Sequence, residues 1–207
     1  MPRYQIKVEY DGTNFVGWQY QKNGLSIQEI LQNAIFQFSR EKVTVTGAGR
    51  TDAGVHAIGQ VAHFDLKKKI KKRNFLLGVN QYIGKNPVTV LDIKKTHNKF
   101  HSRFDAKKRT YQYVIINRQS PLALQKNKAW HIRKKLDLNA FIKSSNLHLP
   151  SPKYLMQPTI DLTCCCKKDL EVNLRIILSL FFLIKTLFKV LIGHFAPQEE
   201  ARNVEKS

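Results

Sequence analysis

Negative charge is what this chain has least of. Asp and Glu number 15 against 35 Lys and Arg in 207 residues, a net charge of +20. A surface so unbalanced repels itself unless an anion shares it. Nucleic acid or an acidic membrane face is the partner to expect, with a merely solvated basic surface as the plainer alternative. Cysteine is scarce as well, and its three copies are adjacent, Cys164-Cys165-Cys166. Adjacent cysteines cannot form the separated pairs of a zinc site, and an odd number argues against a secreted disulfide framework. The opening MPRYQIKVEY carries no apolar signal region, so a reducing, cytoplasmic setting is expected. The apolar stretch from Leu174 to Ile192 is interrupted by Arg175, Lys185 and Lys189; it is expected to form a buried helix rather than a membrane span. No internal repeat is visible. The absence of a helix-turn-helix or zinc-finger pattern argues against a DNA-binding protein.

What is present is basic residues in clusters with aromatic residues among them. Lys67-Lys68-Lys69, Lys71-Lys72-Arg73, Lys107-Lys108-Arg109 and Arg133-Lys134-Lys135 alternate along the chain with Phe64, Phe75, Phe100, Phe104, Tyr111 and Tyr113. Cations hold phosphates and aromatic faces stack on unpaired bases. Phe64, Phe75 and Phe104 are read as core residues, the usual fate of phenylalanine.

Short periodic segments set the fold class. Tyr4, Ile6, Val8 and Tyr10 alternate with polar residues, the pattern of a half-buried strand that Asp11-Gly12 ends. Ser26 and Glu29 fit a capping box, and Ile27 to about Ser39 repeats at helical spacing. Further strands are expected at 60–64, 88–93 and 109–117, and a weaker helix at 74–82. Strands and helices mix without a βαβ rhythm, which predicts an α+β fold with an antiparallel mixed sheet and flanking helices.

One loop stands out from this pattern. GAGRTDAGVHA, Gly47 to Ala57, places a single carboxylate among three glycines. It lacks the Lys-Ser/Thr pair of a Walker phosphate loop and the third glycine of a dinucleotide fingerprint. Asp52 could cap a turn. It could also be an ionised nucleophile on an RNA-binding surface, with Arg50 two residues away to favour the charged form. His56 and His63 lie nearby; His63 sits in a strand and is read as structural, and neither is assigned chemistry.

GAGRTDAGVHA and the following IGQVAHFD closely resemble the signature of the tRNA pseudouridine synthases of the TruA family. VEYDGTNFVGWQYQ, LSIQEILQNAI and FHSRFDAKKRTYQYVIIN resemble further segments of that family in the same order, over roughly residues 3 to 145. The resemblance implies that Asp52 is the catalytic aspartate, that Arg50 pairs with it, and that Tyr111 packs on the target uracil; Arg109, two residues before Tyr111, is read as a phosphate grip on the same strand. It implies uridine isomerisation in the anticodon stem-loop of tRNA, with no cofactor and no metal, by a homodimer whose subunits form basic RNA clefts. It also implies two similar αβ halves with the catalytic cleft between them: an N-terminal half over 1–105 and a C-terminal half over 106–207.

After about Asn146 the resemblance ends. The cysteine triplet and the prolines of SSNLHLPSPK are foreign to the family, whose chains are longer. A disrupted reading frame or fast divergence would each produce that break. The competing reading is therefore a non-catalytic or decayed RNA-binding protein that keeps its affinity for tRNA.

Overall fold

The alternation at the N-terminus folds as a strand with one buried face. In β1 (Arg3–Tyr10), Tyr4, Ile6, Val8 and Tyr10 are buried while Lys7 and Glu9 are exposed. The structure is a computed structural model that describes residues 1–107, 109–137, 159–166 and 169–178. These fall into two units: Met1–Lys107 with Leu122–Ala129, and the described parts of Lys108–Pro121 and Trp130–Ser207.

In the first unit β1 lies between β3 (Ala57–Asp65) and β4 (Val88–Thr96), antiparallel to both, and the two-residue β2 (Thr46–Gly47) extends the sheet beside β3. Two helices complete it, α1 (Ile27–Ser39) and α2 (Lys72–Ile83), which pack on each other, with α2 also on β4. The boundaries of α1 follow from its sequence. Ser26 accepts the Glu29 N–H at the start, and Arg40, left-handed at φ 62°, returns its N–H to the Phe36 carbonyl at the end. Helix α2 is longer than expected at both ends because Phe75, Val79 and Ile83, four residues apart, give it a continuous buried stripe.

The core is aromatic at its centre. The Phe75 ring stacks on Phe64 at 5.7 Å and meets Phe38 edge-on at 5.5 Å, while Phe64 stacks on Tyr4 at 5.9 Å. Phe64 and Phe75 are fully buried, as the sequence suggests. Phe104 is not: it is 77 % exposed, because the turn that carries it lies outside the helix-covered face of the sheet.

The opposite face of the sheet is covered differently. His63 faces the same way as its register partner Gln5, away from the helices, yet it is buried. The segment Phe100–Ser102 covers it. Ser102 donates its N–H to His63 Nδ1 at 3.2 Å and its hydroxyl to the Thr46 carbonyl at 2.8 Å. Arg3 closes the end of this arrangement: Nε and Nη2 hold both oxygens of Asp65 at 2.8 and 2.7 Å, and Nη1 reaches the Phe100 carbonyl at 2.7 Å. The histidine is structural, as its strand position implies.

In the second unit, β5 (Arg109–Asn117) pairs antiparallel with β8 (Asp169–Leu178), β8 pairs antiparallel with β7 (Thr159–Cys166), and the short β6 (Trp130–Ile132) runs parallel to β5. The buried Asn117 binds the β6 end of this sheet by donating to the carbonyls of Ile132 and Lys134. The helix expected from Leu174 is corrected over its described part: residues to Leu178 belong to β8, in register with β5 from Asn117↔Leu170 to Arg109↔Leu178. The sequence DLEVNLRI alternates apolar and polar residues, a two-residue period that its apolar richness obscures. The rest of that expectation, residues 179–192, lies outside the described residues. Among the described residues no helix is long and apolar enough to cross a membrane. The fold is α+β, and among the described residues the strands pair antiparallel except at β5–β6.

Two predictions test this packing. Phe75→Ala should cost about 3–5 kcal/mol of unfolding free energy in urea titrations, the usual effect of removing a buried ring; a loss well under 1 kcal/mol would mean that the ring is not central. Burial first, and then the charges of Arg3 and His101, hold the His63 imidazole below its ordinary pKa. Below about pH 6.5 the unfolded chain takes up a proton that the folded chain resists. Stability should thus be full above that pH and fall as the pH drops toward the depressed folded value. His63→Gln should flatten this slope in denaturation midpoints compared between about pH 8 and pH 5.

Candidate functional site

The glycine-rich loop connects β2 to β3, and a second loop holds its backbone in place. Within the loop, Val55 donates its N–H to the Asp52 carbonyl at 3.2 Å, closing a turn. The supporting loop is Asp11–Trp18, which follows β1. Trp18 donates its N–H to the Thr51 carbonyl at 3.0 Å, and Gly54 donates to the Phe15 carbonyl at 3.3 Å. Tyr10, buried at the end of β1, holds Thr51 Oγ1 through its hydroxyl at 2.8 Å. On the β3 side, Ala48 N–H reaches the Val61 carbonyl at 2.7 Å and Gln60 Nε2 reaches the Gly49 carbonyl at 2.6 Å.

The supporting loop is anchored in turn by α1. A helix start leaves its first amides without partners inside the helix. Here Ile27 and Gln28 donate theirs to the carbonyls of Gly17 and Trp18, at 3.2 and 3.0 Å. The order of support runs from the α1 N-terminus to loop 11–18 and on to Thr51, the residue before Asp52.

Close approach explains two glycines. A Cβ at Gly17 would stand 2.5 Å from the Thr51 carbonyl oxygen, and the residue's φ of +113° disfavours any side chain. A Cβ at Gly12 would stand 2.0 Å from the Val55 carbonyl oxygen. The two loops are in backbone contact, and side chains at these positions would separate them.

The Asp52 carboxylate is exposed and takes no hydrogen bond or ion pair among the described residues. It does not cap the turn that its own carbonyl closes. Every other aspartate of the first unit is engaged. Asp11 accepts from the Thr13 hydroxyl and N–H and lies 3.1 Å from His56 Nδ1 and 3.6 Å from Lys128. Asp65 holds Arg3, Asp92 pairs with Lys72, and Asp105 accepts the His101 N–H at 2.8 Å. Thr13 above all keeps the Asp11 carboxyl below the usual carboxylate range, as Arg3 does for Asp65.

Arg50 is exposed two residues away, but no ion pair within the described residues joins it to Asp52. The turn lies at Ala53-Gly54, just after Asp52. His56 is tied into the support. Its Nδ1 accepts the Gly12 N–H at 3.0 Å and its Nε2 faces the Asn127 carbonyl at 2.7 Å, partners that suit a ring protonated on Nε2. Among the described residues no group of three or more His, Cys, Asp or Glu could hold a metal ion.

Residues 6–105 match the family model described as tRNA pseudouridine synthase. The chain is 52% identical over 143 residues to the tRNA pseudouridine synthase A of Ehrlichia canis, covering 69% of this chain and 58% of that protein. It is likewise 52% identical over 146 residues to the protein of that name from Pelagibacter ubique, covering 70% and 59%.

Residues 6–105 of the chain belong to the tRNA pseudouridine synthase family.

The matching part of the chain spans less than two thirds of the length of these curated relatives, 58% and 59%. The family segment contains Arg50 and Asp52. Arg109 and Tyr111 lie beyond that segment on β5, in the second unit, both half-buried. Two residues apart on a strand, they share one face, with Thr110 and Gln112 exposed on the other. Sequence reasoning missed the parts played by Tyr10, Gly17 and Trp18. The signal was available in YDGTNFVGW, where two glycines and a turn motif follow a strand, but their partner loop is more than thirty residues away.

Gly17→Ala should destabilise the first unit by about 1–3 kcal/mol, through its positive φ and the backbone contact. Urea denaturation measures this, and an unchanged midpoint would show that the two loops are not held together as described.

Proposed function

We propose that this chain acts on tRNA as a pseudouridine synthase with Asp52 as its nucleophile, in the cytoplasm. The carrying observation is that Asp52, alone among the aspartates of the first unit, has an unengaged carboxylate, on a loop whose backbone is fixed from behind. A carboxylate kept for structure would be expected to hold a partner, as Asp11 and Asp65 do.

The chemistry suits such a group. In the isomerisation the C1′–N1 glycosidic bond breaks, the base turns, and a C1′–C5 bond forms. C5 loses a proton and N1 gains one, so atoms and electrons balance without an oxidant or reductant. A carboxylate can add to ribose C1′ or to base C6, or assist through a transient glycal, and each route returns it free. The target uracil must leave its stack, which costs a few kcal/mol that an aromatic face can offset. Tyr111 is proposed for that face and Arg109 for the adjoining phosphate. Arg50 contacts phosphate or pairs with Asp52 once RNA is bound. The residues over 106–207 supply a second αβ half facing the N-terminal one over 1–105, the substrate site is the anticodon stem-loop, and the working form is a homodimer.

The test is pseudouridine formation on an unmodified tRNA transcript, detected by carbodiimide labelling. Asp52→Ala and Asp52→Asn should abolish product while leaving tRNA affinity within about twofold. Tyr111→Ala should lose more activity than Tyr111→Phe, which keeps the ring. Turnover by Asp52→Ala would reject the nucleophile. A second reading rests on the cysteine triplet and prolines that follow the family segment: an RNA-binding protein without catalysis, recognised by tight, salt-sensitive tRNA binding and no product.

A further inference from the structure

Phe104 is the residue that neither the core nor the proposed chemistry accounts for. Its ring is 77 % exposed, yet it is not loose. It lies on the His101 ring with centroids 4.3 Å apart and planes tilted by 33°. His101 in turn packs edge-on to the buried His63 at 4.9 Å, and His63 meets Phe100 at 6.0 Å. A chain of aromatic rings thus runs from the sheet to the surface and ends on an open phenyl face.

The backbone under this ring is fixed as well. Asp105 donates its N–H to the His101 carbonyl at 2.9 Å, and His101 returns its own to Asp105 Oδ2 at 2.8 Å. Buried Ser102 fastens the turn to His63 and to the Thr46 carbonyl. The turn is therefore attached to β2, the strand that leads into the Asp52 loop.

The surroundings are cationic. Lys99, Arg103 and Lys107 are exposed on this segment; its own carboxylate, Asp105, is held in its bond with the His101 N–H, and neighbouring Asp65 is held by Arg3. An exposed, immobilised ring beside cations is the arrangement that holds an unpaired base, with stacking on the ring and phosphates on the cations. Because the ring is already held by His101, little rotamer freedom remains to be lost on binding.

We infer that Phe104, backed by His101 and flanked by Lys99, Arg103 and Lys107, is a stacking platform for an unpaired nucleobase of bound RNA, separate from the base on which Asp52 acts. The inference rests on the RNA-binding part of the proposed function and not on catalysis.

The test is direct binding by the full chain, compared between a single-stranded uridine decamer and a blunt RNA duplex carrying a similar number of phosphates. Phe104→Ala should weaken decamer binding by about tenfold or more, the usual effect of losing one stacked base, and should leave duplex binding unchanged. Phe104→Trp should restore the decamer affinity. The loss should persist as salt is raised, because a stacking contact releases no counterions. An equal affinity of Phe104→Ala and the parent chain for the decamer would overturn the platform while leaving the RNA reading intact. Equal losses on decamer and duplex would overturn it too. So would a clear drop in thermal midpoint or a shift from dimer to monomer in Phe104→Ala, since the ring would then be a packing residue. Failure of the parent chain to bind either RNA would reject the RNA reading itself.

Discussion

The contact between two loop backbones, 11–18 and 51–55, is the constraint from which the rest of the first unit follows. Between β2 and β3 the Asp52 loop has one turn of its own and no regular structure within it. Its conformation is borrowed from loop 11–18, which is itself fixed by the unpaired amides at the start of α1. The glycines at 12 and 17 are the condition for that contact, since a methyl group at either would force the backbones apart. A nucleophile needs this kind of support because a small misplacement of the attacking atom can cost about 100-fold in rate. Rigidity here is supplied behind the residue, by backbone hydrogen bonds, which leaves the carboxylate itself in solvent.

That division of labour explains how the acidic residues are used. In a chain with few carboxylates, most of those in the first unit are engaged in architecture: Asp65 through Arg3, Asp92 through Lys72, Asp11 and Asp105 through local turns. Asp65 closes the end of β3, Asp92 ties the middle of β4 to α2, and Asp11 and Asp105 hold turns. Among the aspartates of the first unit Asp52 is the exception, and its exposure has no structural return, because the turn it begins is closed by a main-chain carbonyl. Turn chemistry accounts for Asp11 and Asp105 and ion pairing for Asp65 and Asp92, and neither accounts for Asp52.

How much of this was legible in the sequence depends on the range over which each feature acts. Strand β1 and helix α1 were read almost to the residue because period-two alternation, a capping serine and a helical apolar stripe are local signals. The Asp loop was legible as a motif, and its resemblance to a family agrees with the matching family model. The long-range features were not legible. The burial of His63 depends on a segment almost forty residues later, and the Arg3–Asp65 pair joins positions sixty-two apart. Phe104 was misread for a related reason: a phenylalanine is assigned to the core on composition, and only the placement of its turn reveals an open face. The apolar run from Leu174 failed differently, because hydrophobic density was weighed before the two-residue alternation that makes 169–178 a strand.

The locality of the support bears on what a chain that diverges late can retain. Tyr10, Gly12, Gly17, Trp18, the α1 amides, Gln60 and Val61 all lie within the first 65 residues, in the segment that matches the family. Preorganisation of Asp52 therefore draws on no residue beyond that segment, apart from the Asn127 and Lys128 contacts at the edge of the supporting loop. Binding charge and aromatic faces are local in the same way. Substrate orientation is not, since extruding a uracil and turning it requires walls on more than one side. On the proposed function, loss of the late residues would remove rate while leaving Asp52 placed and RNA bound, so that affinity and turnover would separate.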